Sequence, residues 1–404
     1  MAKKYSHMQV MFLVVSVWML SIVPAAVAET GFEKWIADFY TTAEKQGIRR
    51  VTYDIAFAGV TDPDPVVLKK AEYQPEFTTE IWDYLDARVN GLSIAKGRKM
   101  ARYHGQTLAE VEAKFGVEQS VLLAIWSMES NFGDIFNRPE RLHYVPRALA
   151  TLAYGDPKRK KFARTQLVAS LKILQAGDIT REQLLGSWAG AMGHTQFIPT
   201  SYLAYGVDMD GNGRRDIWNS IPDALATAAN LLRKNGWRTG NTWGYEVILT
   251  ENEDQYKDQT HTLGEWQRLG FKRPGGKPYP RPSDKAVLKI LAGSDGPGFL
   301  MMKNFYVLKR YNNSDSYALA VGLLADRLSG LKGLVQSWPR PPGSLSIDEK
   351  IELQERLKRR GHYEGEIDGY LGKGTRGAIE KFQVQSGVTA DGIPSQDILQ
   401  LLRH

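Results

Sequence analysis

The chain has 404 residues, 43% of them hydrophobic, enough to bury a large core spread over two or more domains. Its net charge is +7, and because residues 1–28 hold two lysines and no acid, the remainder carries +5. That mild bias suits an acidic polymer and excludes the dense basic surface of a nucleic-acid binder.

The first element reads as a secretory signal peptide. Lys3 and Lys4 lead into the apolar run "VMFLVVSVWMLSIV", and the small-residue pattern "AVA" ends at Ala28, where cleavage is expected. A retained membrane anchor is the other reading, but the run is shorter than the ~20 residues that span a bilayer comfortably. The sequence contains no cysteine. Lipid attachment through a cysteine and disulfide bonding are both excluded, and an exported, periplasmic destination is expected.

From Gly31 to about Gly240 the pattern is helical. "FEKWIADFYTTAEKQGI" and "REQLLGSWAGAM" space apolar residues by three and four, which predicts helices. "IPDALATAANLLRKNGW" does the same, with Pro222 near its start and Gly236 near its end as punctuation. Within this region lies "LLAIWSMESNFG", where Leu122, Ile125 and Glu129 share a helix face. A carboxylate closing an apolar stripe either finds a partner or keeps its proton at a raised pKa. Taken by itself, Glu129 reads as structural more readily than catalytic.

Two further stretches in this region carry chemistry-bearing residues. "GDPKRKKFAR" holds four consecutive basic residues, Lys158 to Lys161, usually a solvated face. "DMDGNGRRDIWN" spaces oxygen ligands as a calcium loop does. Asp208, Asp210 and Asn212 fall at positions 1, 3 and 5, Arg214 at 7 through its backbone carbonyl, and Asp216 at 9. Position 12, normally a bidentate Glu, is Asn219, so one anionic ligand is missing. An ion-free turn held by Asx hydrogen bonds is the equal alternative to a structural calcium.

Residues 241 to about 300 change character. "TWGYEVILT" and "KAVLKILAG" predict strands around the Gly/Pro-rich "KRPGGKPYPRPSD", and helix returns in "SYALAVGLLADRLSGL". The expected architecture is therefore mainly α (α+β): a helical domain over 29–335 with a small strand-bearing insertion. The prolines of "SWPRPPGSLSID" make 336–346 a semi-rigid linker. Residues 347–404 then form a compact unit in which two amphipathic helices flank a Gly-rich turn and a third, short helix closes the end.

In that unit, "LQERLKRRGHYEGEIDGYLGKGTRGAIEKFQVQSGVTADG" resembles the peptidoglycan-binding domain of cell-wall enzymes. The match rests on Leu353-Gln354, Gly361, Asp368-Gly369, Gly374, Thr375, Ala378, Phe382-Gln383, Gly387 and Asp391-Gly392. The Asp-Gly pairs read as tight turns and the Leu, Ile and Phe positions as core.

Upstream, "AIWSMESNFG" followed by "GSWAGAMGHTQFIPTSY" resembles the lytic murein transglycosylase B family. So do "DMDGNGRRDIWNS", "ALATAANLLRKNGW" and "NFYVLKRYNNSDSYALAVGLL", in the family's order from about Phe32 to Trp338. The resemblance implies a lysozyme-like helical fold. It also implies non-hydrolytic cleavage of the β-1,4 bond between N-acetylmuramic acid and N-acetylglucosamine, leaving a 1,6-anhydro end. Most glycosidases use two carboxylates; here Glu129 alone would act as acid and then as base, tuned by its apolar face.

The same resemblance implies substrate contacts by Ser187, Gln196, Tyr311, Tyr317 and Arg159. Leu231 departs from it, standing where many relatives have an aromatic. No cofactor is required, and a structural calcium is the one candidate ion. The implied partners are peptidoglycan glycan strands, with cell-wall synthesis or remodelling proteins as protein partners, no nucleic acid, and a monomeric state. A water-using muramidase, a non-catalytic wall-binding scaffold and a calcium sensor are the rival readings. The first needs a second carboxylate, the second is disfavoured by the presence of Glu129, and the third lacks paired loops.

Overall fold

The computed structural model describes residues 31–72 and 80–404, so the expected signal peptide lies outside the described residues. The first half is built of short helices: α1 (Gly31–Lys45), α2 (Arg50–Phe57), α3 (Pro65–Glu72), α4 (Ile81–Asp86), α5 (Gly91–Tyr103), α6 (Gly105–Phe115) and α7 (Gln119–Ser130). After β1 (His143–Tyr144) come α8 (Val145–Gly155) and α9 (Lys160–Ala176), then β2 (Leu185–Gly186), α10 (Pro199–Tyr205) and α11 (Ile221–Lys234). Among the described residues, no helix is long and apolar enough to cross a membrane.

Helix α7 runs through the middle of the main core. Val121 to Trp126 are buried without a break, and the helix packs against α5, α6 and α11. A helix apolar on all sides can only be an interior one. Pro222 sits in the first turn of α11 and Gly236 just past its end, with Ser220 capping the N-terminus through the Asp223 N–H. The helix edges expected there are present.

"REQLLGSWAGAM" does not form a helix. Residues 181–192 make a turn, the two-residue strand β2 and a tight loop. Gly186 pairs with His143 of β1 on one side and bridges to Met192 on the other, and a Cβ at Gly186 would lie 2.4 Å from the Ala191 carbonyl oxygen. Gly190 and Gly193 have φ of 88° and 72°. Small residues at three- and four-residue spacing mimic helix periodicity, but backbone crowding and positive φ override it.

The strand-bearing insertion comprises β3 (Gly244–Val247), β4 (Thr260–Thr262), α12 (Leu263–Arg268), β5 (Lys285–Ile290) and β6 (Gly298–Met301). The strands form one antiparallel sheet in the order β3-β6-β5-β4. Trp266, Phe271, Leu288 and Leu300 belong to its own core. The chain then rejoins the helical body through α13 (Lys303–Tyr311) and α14 (Asp315–Leu328), and α14 lies against α4, α5 and α7.

The end of the chain folds as α15 (Ile347–Arg359), α16 (Lys373–Gln385) and α17 (Gln396–Arg403) around Leu353, Leu357, Ile379, Phe382 and Leu399. Two buried glutamines organise its turns alike. Gln354 accepts from the Asp368 and Gly369 N–H groups and donates to the Asp368 carboxylate. Gln383 accepts from Gly392 N–H and donates to Asp391. This unit and the linker before it touch the helical body through ion pairs. Arg340 grips Asp86 with two hydrogen bonds of 2.7 and 2.8 Å, Lys350 reaches Asp83 and Asp86, and Glu366 accepts two bonds from Arg138. Trp338, just upstream, stacks on Phe299 at 6.0 Å.

Candidate active site

Glu129 lies in the last turn of α7. Leu122 and Ile125 on its face are fully buried, Met128 packs on the core, and Glu129 itself is half-buried. Loss of water raises its pKa from 4.5 to about 7, opposed by a hydrogen bond from Tyr317 and by the charge of Arg88. The Tyr317 hydroxyl donates to Glu129 Oε1 at 2.6 Å. Tyr317 is buried in the first turn of α14, where the Ser314 side chain caps the helix through the Tyr317 N–H. Burial and the nearby carboxyl push its phenol well above the usual range, so it stays a donor.

Tyr311, the last residue of α13, stacks on Tyr317 with ring centres 6.3 Å apart and planes 15° from parallel. Its hydroxyl donates to the Thr195 carbonyl at 2.5 Å. Gln196, next in the chain, has φ of 48° and donates its side-chain amide to the Gly193 carbonyl. The structure therefore joins Glu129, Tyr311, Tyr317 and the turn preceding Gln196.

The backbone beyond Glu129 is strained. Asn131, Phe132 and Gly133 all have positive φ, at 49°, 60° and 87°. Left-handed backbone costs a residue with a side chain roughly 1–2 kcal/mol. Asn131 satisfies it as the helix C-cap and through its amide to Asp134, Phe132 by burying its ring against Trp126. A Cβ at Gly133 would sit 2.6 Å from the His194 ring, so only glycine fits. His194 accepts from Trp126 Nε1 at 3.2 Å, and burial holds its pKa at about 4. It is neutral, with Nδ1 as the acceptor.

The remaining expected residues occupy other settings. The Ser187 hydroxyl accepts from the Ala191 N–H and closes the tight loop after β2. Arg159 pairs with Asp156 at 2.5 Å, donates to the Ala71 carbonyl and lies 5.5 Å from the Trp188 ring centre. Leu231 is buried in the main core rather than displayed to a ligand. A cavity of about 370 Å³ lined by Asp62, Tyr144, Arg147, Arg181 and Glu182 includes none of these residues.

Of the six expected calcium ligands, the structure gathers Asp208 and Asp210, together with Asp223 from α11, their carboxylate oxygens within 4.8 Å of one another. That spacing fits oxygens each 2.3–2.6 Å from a shared calcium. Asp208 also accepts from the N–H groups of Gly211, Asn212 and Gly213, and Asn212 from that of Arg214. Asp216 lies outside the carboxylate group and accepts from the Asn219 amide. Asp223, fully buried, accepts from Met209, Asp210 and Asp216 N–H. Counting along the loop could not find it, because it follows the twelfth position.

Sequence reasoning also passed over Arg88, Tyr84 and Ser130. Arg88 is exposed, with its guanidinium 4.7 Å from the centre of the Tyr84 ring. Arg88 acts on Glu129 by its charge and Tyr84 on Tyr317, and no local pattern marks either. Ser130 stands beside Glu129 in the quoted motif, but its partner lies 64 residues away.

A family model described as the transglycosylase SLT domain matches residues 31–326, and one for a peptidoglycan binding domain matches 348–402. The chain is 27% identical over 221 residues to the membrane-bound lytic murein transglycosylase B of Escherichia coli (strain K12). That match covers 53% of this chain and 58% of the relative, so the chain spans less than two thirds of that relative's length. SltB3 from Pseudomonas aeruginosa, solved in complex with NAG-NAM-pentapeptide, is 44% identical with a TM-score of 0.73, covering 92% of this chain and 99% of SltB3. The soluble lytic transglycosylase SltB1 of the same organism is 27% identical with a TM-score of 0.63, covering 74% of this chain and all of SltB1. The expected mainly α, lysozyme-like fold with a helical peptidoglycan-binding unit behind it agrees with these likenesses. By the extent of the family match and the identity with SltB3, the chain belongs to the transglycosylase SLT domain family.

Proposed function

We propose that the protein is a lytic transglycosylase that cleaves the β-1,4 bond between N-acetylmuramic acid and N-acetylglucosamine in peptidoglycan without water. Glu129 gives its proton to the glycosidic oxygen as the bond from C1 breaks. The carboxylate so formed takes the proton of the sugar's C6 hydroxyl as that oxygen attacks C1, closing the 1,6-anhydro ring. The observation that carries this reading is the Glu129 carboxyl at the end of an apolar face, held by the Tyr317 hydroxyl at 2.6 Å. Loss of water there raises its pKa to about 7, so that a large share keeps its proton near neutral pH and the ionised form is a competent base. Among the described residues, the groups acting on it are a phenol and a guanidinium, not a second carboxylate. SltB3 in complex with NAG-NAM-pentapeptide supports the same substrate class.

Digestion of purified sacculi tests the chemistry. Muropeptides lighter by one water are expected by mass spectrometry. Fully hydrated reducing ends would make the protein a muramidase.

Ser187, Gln196 and Arg159 would contact the sugar and its peptide stem. Tyr311 and Tyr317, expected beside them as substrate contacts, donate to Thr195 and Glu129 and would orient the acid instead. The chain acts in the periplasm as a monomer after removal of its signal peptide near Ala28, and 336–346 links the catalytic region to the wall-binding unit. A chain ending before Ile347 is expected to keep its activity on soluble glycan strands but to bind sacculi at least about threefold more weakly in a pelleting assay. Equal binding would remove the targeting role.

Calcium would be held by the carboxylates of Asp208, Asp210 and Asp223, away from Glu129, and would be structural. Adding calcium in excess of its Kd by about 100-fold should raise stability by roughly 2–3 kcal/mol. A melting temperature indifferent to calcium would leave the loop as an Asx-bonded turn.

A further inference from the structure

The hydroxyl of Ser130 does two things at once. It accepts from the Gly133 N–H at 3.0 Å, spanning the left-handed run, and donates to the His194 carbonyl at 2.6 Å, tying the end of α7 to the 193–196 turn. Ser130 is 5% exposed and touches no surface. The neighbouring carbonyl in that turn, Thr195, receives the Tyr311 hydroxyl, Tyr311 stacks on Tyr317, and Tyr317 donates to Glu129. These contacts form a closed ring that starts and ends at the acid.

We propose that Ser130 is a positioning residue for Glu129: through His194, Thr195, Tyr311 and Tyr317 its hydroxyl holds the carboxyl in register with the phenol that orients it. Three parts of the chain meet in the ring, and no single one fixes the distance between acid and phenol. The core holds α7 through Val121–Trp126, and the Ser130 hydroxyl adds a tie at its last turn, beside the acid. The 193–196 turn has short hydrogen bonds to both sides, to Ser130 from α7 and to Tyr311 from α13. Trp126 donates to the His194 ring, which lies over Gly133, a second tie between α7 and the turn. Misplacing a reacting group by 1 Å costs about 10²-fold in rate. A residue that acts this way lowers turnover and spares binding, because the sugar does not touch it.

The inference rests on the reading of Glu129 as the acid. The test measures kcat and KM on soluble glycan oligomers for wild type, E129Q, S130A, S130T, Y311F and the S130A/Y311F double variant, well below each melting temperature. S130A should lower kcat about tenfold or more with KM within about twofold, and S130T should restore most of it. Y311F removes the opposite tie of the same turn and should show the same split. The double variant should lose no more than about threefold beyond the worse single variant, because both break one ring. Wild-type kcat in S130A or in Y311F, beside an inactive E129Q, would overturn the ring and leave the acid standing. Full multiplication of the two single effects would overturn it as well. An active E129Q would instead remove the acid reading itself. If S130A fails to fold, Y311F and S130T decide alone.

Discussion

Replacing Glu129 by Gln should abolish lysis of sacculi, lowering turnover by about 10³-fold or more while leaving binding intact. The amide keeps the size of the carboxyl and still accepts the Tyr317 hydrogen bond through its oxygen, so the fold is not at stake. What it cannot do is give up a proton to the glycosidic oxygen and take one back from the C6 hydroxyl. Unchanged lysis by the variant would sink the mechanism.

The same substitution should stabilise the protein, and the sign follows from titration. The carboxyl titrates near 7 when folded and near 4.5 when unfolded. A raised folded pKa contributes stability that is complete below 4.5 and is lost as pH rises through 7. Wild type therefore gives up on the order of 3 kcal/mol across that window, and Gln, which does not titrate, gives up nothing. Melting curves should coincide near pH 4 and separate in favour of E129Q by pH 8. Curves that stay parallel from pH 4 to 8 would mean that the carboxyl is not held protonated by its surroundings.

Tyr317→Phe is the second variant expected to act strongly. The phenol holds Oε1 at 2.6 Å and favours the ionised carboxyl, since it donates to it. Removing it leaves the apolar setting unopposed except by Arg88, so the pKa of Glu129 rises above 7. Proton donation requires the protonated form, so the fall of kcat/KM towards alkaline pH should move to higher pH. Yet turnover on the plateau should drop roughly ten- to a hundredfold. The acid is then no longer aimed, and the carboxylate formed as the bond breaks has lost a donor. A downward move of the alkaline limb, or a plateau equal to wild type, would contradict this account.

The pair of Leu122 and Ile125 with Glu129 was legible because helix geometry alone puts them on one face. Tyr311 and Tyr317 came from family resemblance: six residues apart, they sit on two helices, and only the turn between α13 and α14 stacks them. The three glutamine–Asp-Gly positions of the tail, Gln354, Asp368 and Gly369, were visible as a turn motif but not as a buried hydrogen-bond node. Residues 181–192 misled because small residues repeat at helical spacing where the backbone is pressed against Ala191 and Val145. Ser130 with His194 and Asp210 with Asp223 were out of reach for another reason. Each pairing closes over a long loop or lies past the end of a motif, and one sequence carries no trace of which distant carbonyl or carboxylate arrives.

Helix α4 is only six residues long, and it has a second consequence for how the chain meets an insoluble polymer. Asp83 and Asp86 hold Lys350 and Arg340 of the tail region, while the charge of Arg88, just past the helix, acts on Glu129. A tail on a slack tether would lose its orientational freedom each time both sites engaged one strand. On the proposed function, the ion pairs that seat the tail would take that loss in folding rather than at each encounter with a strand. The exposed Arg138–Glu366 pair is the part that salt would loosen first. Rising ionic strength should therefore weaken the seating of the tail on the helical body at this pair before the less exposed Arg340–Asp86 contact.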